Sequence, residues 1–411
     1  MYDWVVLWEW IEIAARWLHV ITAIAWIGSS FYFIALDLGL HRDRNLASGA
    51  DGEEWQVHGG GFYHIQKYLV APAAMPGHLV WFKWESYATW LSGFAMLVLV
   101  YYLGAELFLI DPTVMELEVW QAVGISLASL AFGWIAYNTL CKVFVNANQT
   151  VLMVALFVVL VAMSWFYTQV FSGRAAMLHL GAFTASIMSG NVFFVIMPNQ
   201  RVVVADLKAG RKPDPKYGKI AKQRSTHNNY LTLPVVFLML SNHYPLVFAT
   251  QWNWVIASLV FLMGVTIRHW FNTKHARKGN PHWTWFVTVL LFLAIAWLST
   301  APMRTAEGEG EALRGEALVY ASAPGFQDVV GIVQGRCSMC HAAEPGWEGL
   351  HWPPKGVVLE TEAQIAQEAR RIYLQAGVTH AMPPGNLSYM EPEERAAIAE
   401  WFRGAGAEDP V

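Results

Sequence analysis

The chain has 411 residues, of which 55% are hydrophobic and only 14% charged, and it carries 21 tryptophans and a formal net charge of −4. A soluble domain carries about 25% charged residues, so this composition excludes a wholly soluble protein. The near-neutral balance provides no global basic field for nucleic acid, and three cysteines cannot build a disulfide framework.

Hydropathy divides the sequence near residue 301. The apolar runs before it predict eight membrane-spanning helices, at about 13–36, 86–110, 119–140, 150–172, 175–197, 229–249, 253–271 and 282–301. Each approaches the ~20 residues that cross a bilayer core. No Lys or Arg precedes Arg16 and no small-residue cleavage site follows, so a cleavable signal peptide is not expected. The loops differ in charge. The connection between the fifth and sixth spans holds Arg201, Lys208, Arg211, Lys212, Lys216, Lys219, Lys222 and Arg224, and Lys274, Arg277 and Lys278 follow the seventh span. The loops of the opposite side hold only Arg174. The positive-inside rule makes the basic side cytoplasmic and puts both termini outside.

Residues 302–322 are rich in Glu, Gly and Ala and read as a linker. After them, Cys337-Ser338-Met339-Cys340-His341 is the attachment signature of a c-type heme. Two thiols one helical turn apart add to the heme vinyls, and the following His is held beneath the iron. A zinc site would need a second pair of ligands; the remaining cysteine, Cys141, falls at the end of a span. The sixth ligand is expected to be Met382, in Ala381-Met382-Pro383-Pro384-Gly385, with Met390 and then His380 as alternatives. The predicted fold class is all-α: an eight-helix transmembrane bundle over 1–301, a linker over 302–322 and a small class I-like cytochrome c domain over 323–411.

Ionisable groups inside spans are costly and mark functional positions. His19 and His179 fall at similar depth in the outer half of the bundle. Ligands from two helices can clamp a flat cofactor, which makes them a candidate pair for a heme b, with Arg16 one turn outward of His19 to meet a propionate. The bland alternative is that Arg16 snorkels to the interface and His19 bonds across the bundle. On the inner side lie His227 and Asn228 at the start of the sixth span and Arg268 and His269 at the end of the seventh. Between the first two spans, Gly59-Gly60-Gly61-Phe62-Tyr63-His64 and Met75-Pro76-Gly77-His78 form a segment too aromatic for an idle loop, read as an interfacial cap. Arg268, His269 and His227 are the candidate catalytic residues: a cation for a flat anion and a base near ambient pH. No P-loop, nucleophile elbow or HExxH motif is present.

The stretch Trp17-Leu18-His19-Val20, with Ala25-Trp26-Ile27-Gly28-Ser29-Ser30-Phe31-Tyr32-Phe33 and the C-terminal CxxCH and Met-Pro-Pro, resembles the bacterial membrane-bound, cytochrome-c-linked urate oxidases (PuuD type). The resemblance covers essentially the whole chain. It implies purine catabolism at the bacterial inner membrane: urate becomes 5-hydroxyisourate, and electrons leave through one covalent heme c to a soluble or membrane cytochrome c and a terminal oxidase. It implies no nucleic-acid partner, and a heme b in the membrane domain is a further expectation. A non-catalytic electron-relay subunit is the second reading, although a relay has no need of the aromatic, cationic inner segment.

Overall fold

The computed structural model describes residues 4–43, 45–68, 76–144, 148–299, 313, 315–348, 350 and 353–405. The chain divides into a larger unit, Trp8–Asn242 with Leu246–Ala301, and a smaller one holding the C-terminal residues.

The larger unit opens with α1 (Trp4–Gly39) and an antiparallel hairpin, β1 (Ala50–His58) and β2 (Gly61–Tyr68). It continues through α2 (Trp84–Met96), a π-helical run Leu97–Tyr102, the short α3 (Ala105–Phe108), α4 (Val119–Val143) and α5 (Gln149–Thr168). Then come α6 (Gly173–Gly190), a second π-helical run Asn191–Ile196, α7 (Met197–Lys208) and α8 (Pro215–Ser241). The short α9 (Pro245–Phe248), α10 (Asn253–His275) and α11 (Trp283–Ser299) close the series.

Every predicted span has a helical counterpart, but the lengths differ. Five helices among the described residues are long and apolar enough to cross a membrane: Val6–Gly39, Val119–Val143, Gln149–Thr168, Gly173–Lys208 and Asn253–His275. Trp283–Ser299 is apolar but shorter. The predicted second span is interrupted where α2 passes into the π-helical run before Gly104. The predicted sixth span, 229–249, is divided: its first part is the apolar second half of α8, whose first half is polar, and its end falls on a turn and the short α9. The basic connection before it is mostly helical too, because the Asp214 side chain caps the Lys216 N–H at 2.9 Å and Pro215 occupies the first turn. That hydrogen bond also holds the exposed Asp214 carboxyl below its ordinary range.

The all-α expectation is corrected by the hairpin. Gly59 and Gly60 bridge the His58–Gly61 pair with φ of 58° and 80°, the positive values that a two-residue turn of matching twist requires. Tyr32 donates to Gln56 at 2.7 Å, and Asp37 of α1 is bridged by Lys67 of β2 and by Lys222 of α8 at 2.7 Å. Burial, and then the like charge of Lys222, pull the Lys67 ammonium below its ordinary value.

α6 is the central helix; Ala175, Met177, His179, Leu180, Phe183, Thr184 and Ile187 are among its buried residues. Neighbours approach it over small residues. A Cβ on Gly133 of α4 would lie 2.6 Å from Phe183, and one on Gly190 would lie 2.5 Å from Trp134. Pro234 sits inside α8, and the facing residue of α10 is Gly264, where a Cβ would lie 2.5 Å from the proline ring.

The smaller unit contains α12 (Glu316–Ser322), α13 (Phe326–Arg336), α14 (Ser338–His341), α15 (Glu362–Gln367), α16 (Ala369–Ile372), a π-helical run Tyr373–Val378 and α17 (Pro392–Ala405). Its core is Val329, Val333, Ile365, Ile372, Tyr373, Ile398, Trp401 and Phe402. Residues 302–312 and 314 of the expected linker lie outside the described residues; within its end Glu316–Ser322 is helical, Ala317 is buried in that core, and Tyr320 stacks on Phe402 at 4.9 Å while its carbonyl accepts from Trp401. Burial pushes the Tyr320 hydroxyl up to about 12.

Candidate functional site

α8 is amide-rich where the other helices are apolar, and its polar residues fan outward. Arg224, His227 and Asn228 share a face, being three and four residues apart, and that face meets α4 and the π-helical run after α6. His227 Nδ1 pairs with the Tyr137 hydroxyl at 2.8 Å, and Asn191 Nδ2 donates to the same hydroxyl at 3.1 Å. Asn191 Nδ2 also donates to Asn228 Oδ1 at 2.9 Å, and Asn228 Nδ2 donates to the Met188 carbonyl. Arg224 donates to Asn191 Oδ1 at 3.3 Å and Asn138 Oδ1 at 2.9 Å, with its guanidinium 4.8 Å from the Tyr137 ring centroid. All of Tyr137, Asn191, Arg224, His227 and Asn228 are buried. With Nδ1 engaged, Nε2 is the His227 nitrogen left for a ligand or a proton.

Asn229, one residue on, faces α10 instead. Its Oδ1 accepts from Arg268 Nε at 3.2 Å and Asn272 Nδ2 at 2.9 Å, and Arg268 Nη2 donates to Asn272 Oδ1 at 3.0 Å. The Arg268 guanidinium lies 4.0 Å from the Phe31 ring centroid and 5.8 Å from that of Phe271. Pro234 against Gly264 lets α8 and α10 approach closely, and Arg268 stands one turn beyond that contact.

The predicted catalytic trio is therefore divided. Arg268 and His227 are both buried, but they belong to separate hydrogen-bond clusters. His269 is exposed, with Nδ1 3.4 Å from the Tyr230 hydroxyl. His64 is held within the hairpin, stacked on Trp55 at 4.2 Å and paired with Glu53 at 2.8 Å, and His78 is exposed.

A sequence profile described as urate oxidase N-terminal matches residues 5–299. The chain belongs to the urate oxidase N-terminal family. No curated protein and no solved structure matches the chain.

In this urate oxidase N-terminal region, the outer histidines do not form the heme-clamping pair that their depth suggests. His179 is fully buried; its Nδ1–H donates to the Ala175 carbonyl at 2.8 Å, and its Nε2 accepts from Ser126 Oγ at 2.8 Å. Both ring nitrogens are consumed, and Tyr101, Tyr167 and Phe171 surround the ring. His19 turns Nδ1 to the Thr89 carbonyl and Ser92 hydroxyl, each at 3.1 Å, and lies against Gly93, where a Cβ would be 2.8 Å from its ring. Arg16 is exposed on α1. These residues do not fit a bis-histidine heme b.

The C-terminal unit lies outside the matched residues. There α13 ends at Cys337, and the Cys337 carbonyl accepts from the Cys340 and His341 N–H groups at 3.1 and 2.9 Å, so both thiols lie on one tight turn. His341 Nδ1–H donates to the Val357 carbonyl at 2.9 Å. Burial, then the neighbouring Cys340, pushes the Cys337 thiol up to about 11. Met382 is half-buried, Met390 is packed into the core and His380 is exposed. No group of three or more His, Cys, Asp or Glu residues forms a metal cage among the described residues.

Several polar residues of the membrane region escaped the sequence reading: Tyr137, Asn138, Asn191 and Asn272, and Arg224 as anything beyond a loop charge. Their signal was present in α8, where a cation, a histidine and an amide recur at helical spacing.

Proposed function

We propose that the protein is a membrane-bound urate oxidase whose electrons leave through a covalent heme c in its C-terminal unit. The reaction balances as urate plus water giving 5-hydroxyisourate, two electrons and two protons. Family membership over residues 5–299 supports the substrate, and the apolar helices support a membrane location. Loop charge supports basic connections in the cytoplasm and the CxxCH unit in the periplasm of a bacterial inner membrane.

The observation that carries the electron route is the His341–Val357 hydrogen bond beside the two cysteines. It fixes the imidazole in one tautomer with Nε2 directed elsewhere, the arrangement by which a backbone carbonyl orients a metal-bound histidine. Cys337 and Cys340 would hold the porphyrin, and His341 and Met382 would bind its iron. When bound, heme c supplies a one-electron acceptor whose potential Met/His ligation raises. In the membrane region the buried polar layer around α8 binds and orients urate. Its amide groups match the alternating N–H and C=O edge of the purine, and Nε2 of His227 takes a proton as electrons leave.

Urate added to cyanide-treated membranes should reduce the heme c α-band, to the extent that ascorbate does. A band that ascorbate reduces and urate leaves untouched would sink the reading; reduction by quinol alone would then make the chain an electron relay.

A further inference from the structure

Arg224 is 4% exposed, inside the helical bundle, and among the described residues none of its hydrogen bonds or ion pairs involves a carboxylate. Its two amide partners, Asn191 and Asn138, are neutral, and its Nε is buried without a partner. Amide dipoles lower the cost of a buried guanidinium but leave its charge uncompensated. An unpaired charge in such surroundings costs several kcal/mol.

Around this charge the chain arranges further groups of one kind. Tyr137 lays an aromatic ring beside the guanidinium. His227, one turn along α8, keeps Nε2 available while Nδ1 is tied to Tyr137. Asn191 begins a π-helical run, a distortion that recurs at functional sites, and its amide is fixed by Asn228. A cation, an aromatic face, two oriented amides and a histidine are what a flat monoanion with amide-like edges requires.

Arg268, a second buried cation of the bundle, has a different setting. Phe31 and Phe271 lie against its guanidinium, its Nε and Nη2 are spent on Asn229 and Asn272, and the adjacent His269 is exposed. That arrangement clamps α8 to α10.

We infer that Arg224, rather than Arg268, supplies the counter-charge to the oxidisable purine anion, in a pocket formed with Tyr137, Asn191 and His227. The inference rests on the urate reading and assigns its binding site.

The test uses full-length, heme-loaded protein in detergent, with the heme held reduced by ascorbate so that no turnover occurs. Equilibrium dialysis measures labelled urate, with xanthine as a neutral competitor of the same outline. Arg224→Gln should weaken urate binding roughly 10- to 100-fold and abolish the preference for urate over xanthine. Asn138→Asp, nearly isosteric, would turn the oxygen that already accepts from Arg224 into part of a carboxylate and supply the missing charge from within. It should fold like the parent and lose urate binding, which keeps the inference testable if Arg224→Gln fails to fold. Urate bound by Asn138→Asp as tightly as by the parent would overturn the assignment. So would loss of binding confined to Arg268→Gln. A parent protein that binds no urate at all would instead sink the functional reading.

Discussion

Arg395 fixes a loop that has almost no regular structure of its own. It is buried in the C-terminal unit and donates to the Ala376 carbonyl at 2.9 Å, the Met382 carbonyl at 2.8 Å and Asn386 Oδ1 at 3.2 Å. Asn386 in turn pairs with both backbone groups of Met390. One guanidinium thus holds the backbone beside Met382, so the thioether sits on a backbone that is already ordered. Met382→Ala should leave the heme covalently attached, remove the weak near-infrared sulfur-to-iron band and lower the potential. Survival of that band in the purified variant would show that another side chain is the ligand. Cys337, Cys340 and His341 stood out as candidates in the sequence because their spacing is that of an attachment signature. Arg224 did not, since it ends a run of basic residues that topology alone explains. Only the helix that begins at Pro215, well before the apolar run, puts it in register with His227. His179 misled for a related reason: depth can be read from a sequence, but the partners of its two nitrogens cannot.

Among the elements, α8 and α10 show how a local irregularity sets a site. Pro234 lacks an N–H to give its helix and its ring crowds the preceding turn; Gly264 offers the facing helix a surface without a side chain. The close approach brings Arg268 onto Asn229. Gly264→Ala forces a methyl to 2.5 Å from Pro234 Cδ, and overpacking of this kind costs about 1–3 kcal/mol. The thermal midpoint of the detergent-solubilised protein should fall; an unchanged midpoint would mean that the two helices separate freely. The hairpin teaches the converse. Its strands mix polar and aromatic side chains at low hydropathy, so apolar runs alone suggest a cap where two strands pair. The Gly-Gly between the two segments was the available signal.

For the molecule as a whole, charge asymmetry and hydropathy made the position of the apolar helices legible, because both are sums over many residues and tolerate local error. The polar layer was less legible, since it depends on which way single side chains turn. A reporter that works only in the periplasm should be active when fused after Val411, and one that works only in the cytoplasm should be silent there. The opposite pattern would reverse the assigned orientation. The run Asn191–Ile196 has a further consequence, one of phase. A π-turn holds one residue more than the α-helical turn it replaces, and each extra residue rotates the helix beyond it by about 100°. The whole of Met197–Lys208 is therefore turned relative to the helix that precedes it, and its basic end points where an uninterrupted helix would not direct it. Removing one residue from that run would let the helix close as a plain α-helix and leave every side chain beyond it on its present bearing. Removing one from the α-helical turns on either side would swing those side chains by about 100°, so this run is the stretch of the helix that best tolerates the loss of a residue.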